Sequence, residues 1–140
     1  MRKLVMITLV GMLVTFFAGC GKEQSISLER TQWKLVAWTI SSIKADAHEI
    51  TADFTDKIMS GKSAVNSYSG DYSIEGKNIT FGPFAATKMA GPQEAMQAEA
   101  DYFKLLEQVS SLKVEGSKLY FMDKNGYDLL VFQMTSIPEI

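Results

Sequence analysis

Apolar and polar positions alternate through most of this chain, and the breaks in the alternation are as informative as the rule. Trp33, Leu35 and Ala37 interleave with Lys34, Val36 and Trp38, which predicts a strand with one face more apolar than the other. Ile50 to Phe54 reads as a second strand and Lys57 to Met59 as a short third, running into a turn at Ser60-Gly61-Lys62. Two later stretches share one grammar, Ser73-Ile74-Glu75-Gly76-Lys77-Asn78-Ile79-Thr80-Phe81 and Lys113-Val114-Glu115-Gly116-Ser117-Lys118-Leu119-Tyr120-Phe121. In each, a β-branched residue leads into Glu-Gly, and an aliphatic and an aromatic follow at alternate positions. Each predicts a hairpin whose glycine takes the positive φ of a tight turn. Asn125-Gly126 marks a further turn before a last strand, Tyr127 to Gln133.

Between Pro92 and Ser110 the period changes. Met96, Ala100, Phe103 and Leu106 recur at helical spacing, and Tyr102, Leu105 and Val109 widen the stripe. Gly91-Pro92 punctuates the start, and Glu94 and Glu99 suit the positive end of the helix dipole. Strands, one helix, then strands give an α+β fold class: a curved antiparallel sheet or a small, partly open β-barrel with one main α-helix packed on it.

The other break lies at the start. Met1-Arg2-Lys3 leads into an apolar run from Leu4 to Phe17, followed by Ala18-Gly19-Cys20-Gly21. A charged head, an apolar segment and small residues at a cut site make an export signal, too short for a comfortable permanent membrane span. A cysteine directly after Ala18-Gly19 resembles the bacterial lipoprotein box. That resemblance implies diacylglycerol on the Cys20 thiol, cleavage before Cys20 and acylation of the new amine. Residues 1–19 are then a signal peptide, 20–30 the lipidated cysteine and a polar tether, 31–134 the folded domain and 135–140 a C-terminal tail. The expected place is the cell envelope, with the membrane as a partner through the Cys20 anchor. In a Gram-negative cell Gly21, standing where Asp would favour inner-membrane retention, points to the periplasmic face of the outer membrane. In a Gram-positive cell the site is the outer face of the plasma membrane. Each buried methylene contributes about 0.8 kcal/mol, so two or three acyl chains hold firmly where one is marginal.

Cleavage shifts the charge. The 14 basic residues lose Arg2 and Lys3, leaving 12 against 16 acidic ones, a net charge near −4. That balance argues against nucleic acid and against electrostatic adhesion to anionic lipid, both of which need a basic patch. Cys20 is the only cysteine, so lipidation leaves no thiol for catalysis, zinc or a disulfide. Stability must come from packing, for which eight Phe, five Tyr and two Trp are suited. Met59, Met89, Met96, Met122 and Met134 read as adaptable core filling. His48 is the only histidine and reads as an exposed loop residue, without the further ligands or the serine that a metal site or a triad requires. No phosphate-binding glycine pattern occurs and no carboxylate pair is spaced for acid/base work, so no cofactor or catalytic residue is assigned.

Asn66-Ser67-Tyr68-Ser69-Gly70-Asp71-Tyr72, preceded by Phe54 and Gly61, resembles the N-x-Y-x-G-x-Y core of the META domain family, which includes the bacterial heat-shock protein HslJ. Trp33-Lys34-Leu35 fits the family's opening W-x-L, Ile79-Thr80-Phe81 its I-x-F and Thr87-Lys88-Met89-Ala90 its T-x-M-A, followed by a helix carrying Glu99, Phe103 and Leu106. The fragments keep the family's order from about Leu28 to Gln133. Many members carry cysteine just before the Asn and just after the T-x-M-A segment, where this chain has Val65 and Gly91. Loss of both together is expected if the two form a disulfide in those relatives. The resemblance implies an envelope or stress-associated protein without an established catalytic activity, and a fold likened to secretin-pilot lipoproteins.

The motif also has a reading of its own. In an extended chain Asn66, Tyr68, Gly70 and Tyr72 project to one side. Gly70 removes the side chain between two rings, so Tyr68 and Tyr72 can close over the gap or over a crossing backbone. Asn66 suits a turn. The four are either a tyrosine-rich core corner or a surface for a ligand or partner. The expected function is a noncatalytic, lipid-anchored, stress-associated binding or structural module that contacts a protein or another component of the envelope. The alternative is a carrier of a small hydrophobic ligand, or a pilot-like chaperone for an envelope complex.

Overall fold

The computed structural model describes residues 25–39 and 41–136; Cys20, the expected export signal, most of the expected tether and residues 137–140 lie outside them. The elements are β1 Thr31–Trp38, β2 Thr51–Phe54, β3 Ile58–Lys62, β4 Ser67–Glu75, β5 Asn78–Phe81, β6 Ala85–Ala86, α1 Gln93–Leu106, β7 Ser111–Glu115, β8 Lys118–Met122 and β9 Asp128–Ser136. The strands are antiparallel in the order β3-β2-β1-β9-β8-β7-β5-β4, and β3 pairs again with β4, closing an eight-stranded ring. The short β6 lies beside β4, next to Tyr68 and Ser69. The α+β expectation is met by a barrel, and that barrel is closed rather than partly open. Closure depends on the length of β4, which serves β3 on one edge and both β5 and β6 on the other. The thinnest junction joins β5 to β7, where Asn78 opposite Ser111 is the single register pair. Backbone bonds from Ile79 N–H to Ser110 O, 3.1 Å, and from Leu112 N–H to Lys77 O, 2.9 Å, flank it.

Both glycine hairpins form as the alternation predicts. Glu75 faces Asn78 and Glu115 faces Lys118, with Gly76 at φ 61° and Gly116 at φ 59°. The expected turn at Ser60-Gly61-Lys62 does not form, because all three residues belong to β3. Gly61 is there for closeness rather than for turning: a Cβ would lie 2.2 Å from the Thr51 carbonyl oxygen. The chain turns instead at residues 63–66, where Ser63 N–H bonds Asn66 O and Ala64 takes φ 80°. In β1 the alternation reverses after Leu35. Leu35 faces Phe132 and Ala37 faces Val131, so Val36 is an inserted residue, a bulge that changes which side follows. Trp33 and Leu35 are buried, Ala37 is exposed, and Trp38 turns half inward with its indole N–H on Ile43 O at 2.7 Å.

The helix lies where its period predicts, with a shifted face. Ala95, Ala98, Tyr102, Leu105 and Leu106 are buried, whereas Met96 and Ala100 are exposed. Small Ala95 and Ala98 let the first half of the helix approach the barrel, and the large side chains anchor only the second half. The barrel interior holds Trp33, Leu35, Phe54, Met59, Leu112, Leu119, Phe121, Leu130 and Phe132. Leu28 is also fully buried, and β9 continues to Ser136, opposite Gln32. Met59 is core and Met122 and Met134 are half-buried, but Met89 and Met96 are exposed against expectation.

Candidate functional site

Asn66, Tyr68, Gly70 and Tyr72 share the inner side of β4 and its entry, as an extended chain requires. Asn66 does more than form a turn. Its Nδ2 donates to Glu99 Oε2 at 2.8 Å and to Met89 O at 3.3 Å, while its Oδ1 accepts from Met89 N–H at 2.7 Å and from the Thr87 hydroxyl at 2.9 Å. Glu99 Oε1 accepts from Asn66 N–H at 2.9 Å and from the Ser63 hydroxyl at 2.5 Å. One buried amide therefore ties the 87–89 segment and the middle of α1 to the start of β4. Glu99, expected to serve the helix dipole, is a bracing group, and Met89 contributes its backbone while its side chain stays in solvent.

Tyr68 is buried and donates to Thr51 O at 2.7 Å, so the Tyr102 hydroxyl, 2.7 Å away, donates to Tyr68. Burial pushes the Tyr68 hydroxyl well above the ordinary tyrosine range, with the negative charge of Asp53 adding to the rise and the bond from Tyr102 opposing it. Burial raises Tyr102 as well. Burial also raises Tyr72, helped by Glu29 and Asp56; its ring stands edge-on to Phe54 at 5.1 Å and its hydroxyl donates to Thr55 O at 2.8 Å. The gap at Gly70 is filled by Phe84: a Cβ there would lie 2.6 Å from that ring. Phe84 stands 5.6 Å from Tyr68, edge to face. The motif is an inward-facing corner, and its polar atoms are used within the chain.

What it supports lies next to it. Beyond the Asn78–Ser111 pair β5 and β7 part, β5 bends through Gly82-Pro83-Phe84 into β6, and the end of α1 comes over the gap. Between them is a cleft of about 660 Å³ walled by Ile79, Phe81, Phe84, Phe103, Leu106 and Val109. Phe81 and Phe84 are 5.4 Å apart and Phe84 and Phe103 6.2 Å, all three half-buried. Ligand sites span roughly 300–1,000 Å³ and are walled largely by apolar and aromatic side chains. Alternation along the chain gives no sign of this cleft, which depends on where two strands separate. The local signal, Phe81-Gly82-Pro83-Phe84, is a pair of aromatics on a bend. His48, expected in an exposed loop, is half-buried, its Nε2 3.4 Å from Glu94 Oε1. Among the described residues no three His, Cys, Asp or Glu side chains gather into a metal-binding group.

The model of the META domain matches residues 26–136. The chain belongs to the META domain family. An NMR structure of a protein from Burkholderia xenovorans superposes on it with a TM-score of 0.63 at 27% identity, covering 78% of this chain and 84% of that one. A second NMR structure, at TM-score 0.59 and 16% identity, covers 76% of this chain and 91% of that one and bears on the fold alone. No curated protein matches the chain. Within this META domain Val65 and Gly91, the two positions at which the resemblance implies cysteine in relatives, are neighbours: a Cβ on Gly91 would lie 3.6 Å from Val65 Cβ.

Proposed function

We propose that this META domain is a noncatalytic binding module, held at the cell envelope by lipid on Cys20, and that it binds through the cleft between β5, β6 and the end of α1. The observation that carries this reading is the cleft itself: three half-buried phenylalanines, Phe81, Phe84 and Phe103, gathered in the wall of one concave site. Asn66, Tyr68 and Gly70 act one step behind it, seating Phe84 and the helix that form its walls. The lipid anchor is supported by the lipoprotein-box sequence ending at Cys20. A carrier of a small hydrophobic ligand is the second reading, favoured by a volume suited to one.

The test places a photo-reactive amino acid at Ala86 or Val109, both in the cleft wall, and at Tyr127, outside it. In living cells under envelope stress, Ala86 and Val109 are expected to trap one reproducible species and Tyr127 none. Blank lanes at both cleft positions, with the protein present at normal level, defeat the reading. A Cys20→Ala strain compared with a deletion strain separates loss of position from loss of the domain.

A further inference from the structure

The cleft has a sign as well as a shape. Glu107 is the one ionisable side chain among the residues lining it, and it is exposed where α1 ends. The same place receives the negative end of the helix dipole. Half-buried Phe81, Phe84 and Phe103 line the same cleft, and aromatic rings attract positive charge to their faces. The carboxylate, the helix terminus and the rings all favour a cation; apart from the hydroxyls of Thr80 and Ser110 the remaining wall is apolar, and Lys104, in the last turn of α1, is not among the lining residues.

We infer that the cleft takes an amphipathic cation: an apolar chain or ring system carrying a positively charged nitrogen, with the apolar part on Phe84 and Phe103 and the charge at Glu107. This rests on the cleft being the binding surface and adds the class of ligand. Anionic amphiphiles, fatty-acid carboxylates among them, place like charge against Glu107 and the helix end.

The probes are decyltrimethylammonium, decanol and decanoate, which share one chain and differ in head charge. Each is titrated calorimetrically, below its micellar concentration or, for decanol, below its solubility limit, into the chain from residue 21 onward, which contains every strand of the closed ring and the helix. The cation is expected to bind about tenfold more tightly than decanoate, with decanol between them, since an exposed charge pair and a helix end each contribute a factor of about two to five. Glu107→Gln is expected to weaken the cation about threefold and to strengthen decanoate. Ala86→Trp, which places a ring in the cleft from an exposed position, is expected to abolish all three. Decanoate binding as tightly as the cation, or an unchanged cation affinity in E107Q, overturns the assignment of charge and leaves the cleft reading standing. Failure of all three probes, or full binding to A86W, overturns the cleft reading itself.

Discussion

Replacing Val65 and Gly91 together by cysteine should create a disulfide that this chain lacks. A Cβ on Gly91 would lie 3.6 Å from Val65 Cβ, inside the separation of about 3.5–4.5 Å that disulfides use. The single changes should differ. Gly91→Cys alone brings its Cβ to 2.9 and 3.0 Å from the two Val65 methyls, an overpacking cost of about 1–3 kcal/mol. Val65→Cys alone removes those methyls at a cost of less than about 1.5 kcal/mol and opens the space that a side chain at position 91 needs. The reduced double variant is therefore expected to be more stable than the sum of the singles predicts. Oxidation closes the 65–91 loop, which in the chain-entropy account stabilises by on the order of 3.5 kcal/mol. At roughly 4 °C per kcal/mol for a domain of this size, Tm rises by about 15 °C at most. The assay is thermal unfolding of the chain from residue 21, which has no other thiol, with and without reductant, beside a thiol titration. A double variant that keeps both thiols under oxidising conditions refutes the geometry. A fully cross-linked variant with the same Tm in both conditions refutes the entropy argument.

Gly61→Ala drives a Cβ against the Thr51 carbonyl and should cost about 3 kcal/mol in urea unfolding, whereas Gly70→Ala meets the movable Phe84 ring first and the Pro83 carbonyl oxygen only at 3.1 Å, and should cost less. Ala64→Gly relieves a φ of 80° and should raise stability by about 1 kcal/mol, read as a higher urea midpoint at constant slope. Glu99→Ala leaves Asn66 N–H without its acceptor, and leaves Ser63 and Asn66 Nδ2 with only Asn66 O and Met89 O, and should cost about 3 kcal/mol. Tyr68 and Tyr102 hold their protons in the fold to higher pH than in the unfolded chain, where the hydroxyl ionises near 10. Their contribution is therefore present below pH 10 and is lost as pH rises above it, with a slope that approaches at most about 2.7 kcal/mol per pH unit for two protons. Urea midpoints between pH 9 and 11.5 should fall steeply in the unaltered chain and less steeply in Tyr68→Phe/Tyr102→Phe; parallel curves would remove the pair as the cause.

How much of this is legible in the sequence depends on the range of the cause. The hairpins at Gly76 and Gly116 are readable because their cause is local, a residue able to take positive φ between alternating flanks. Gly61 misleads because a glycine needed for close approach looks the same as one needed for a turn, and the backbone it approaches is at Thr51. The helix shows in its period, but its face is mis-phased when large apolar residues are weighted over Ala95 and Ala98. The bulge at Val36 is set by the partner strand, so alternation places Trp33-Lys34-Leu35 correctly and Ala37-Trp38 wrongly. Asn66 stands out for its own turn chemistry, while its partners Thr87, Met89 and Glu99 lie 21 to 33 positions away. Phe84, Phe103 and Glu107 give no sign of forming one cleft, since only the parting of β5 from β7 brings them together.

The pairing of β1 with β9 bears on how the domain comes into being. Trp33 lies opposite Met134 and Leu35 opposite Phe132, so the first strand waits for the last before its second edge is satisfied. A chain delivered from its N-terminus, by a ribosome or through a membrane channel, presents an incomplete ring until the final strand arrives. Local hairpins such as β4–β5 and β7–β8 can form during delivery, but the long-range closure cannot. Until then β1 is a bare, Trp-bearing edge, the segment a holding chaperone would have most reason to cover. Truncation within β9 should therefore leave a persistently unfolded chain rather than a slightly weakened barrel.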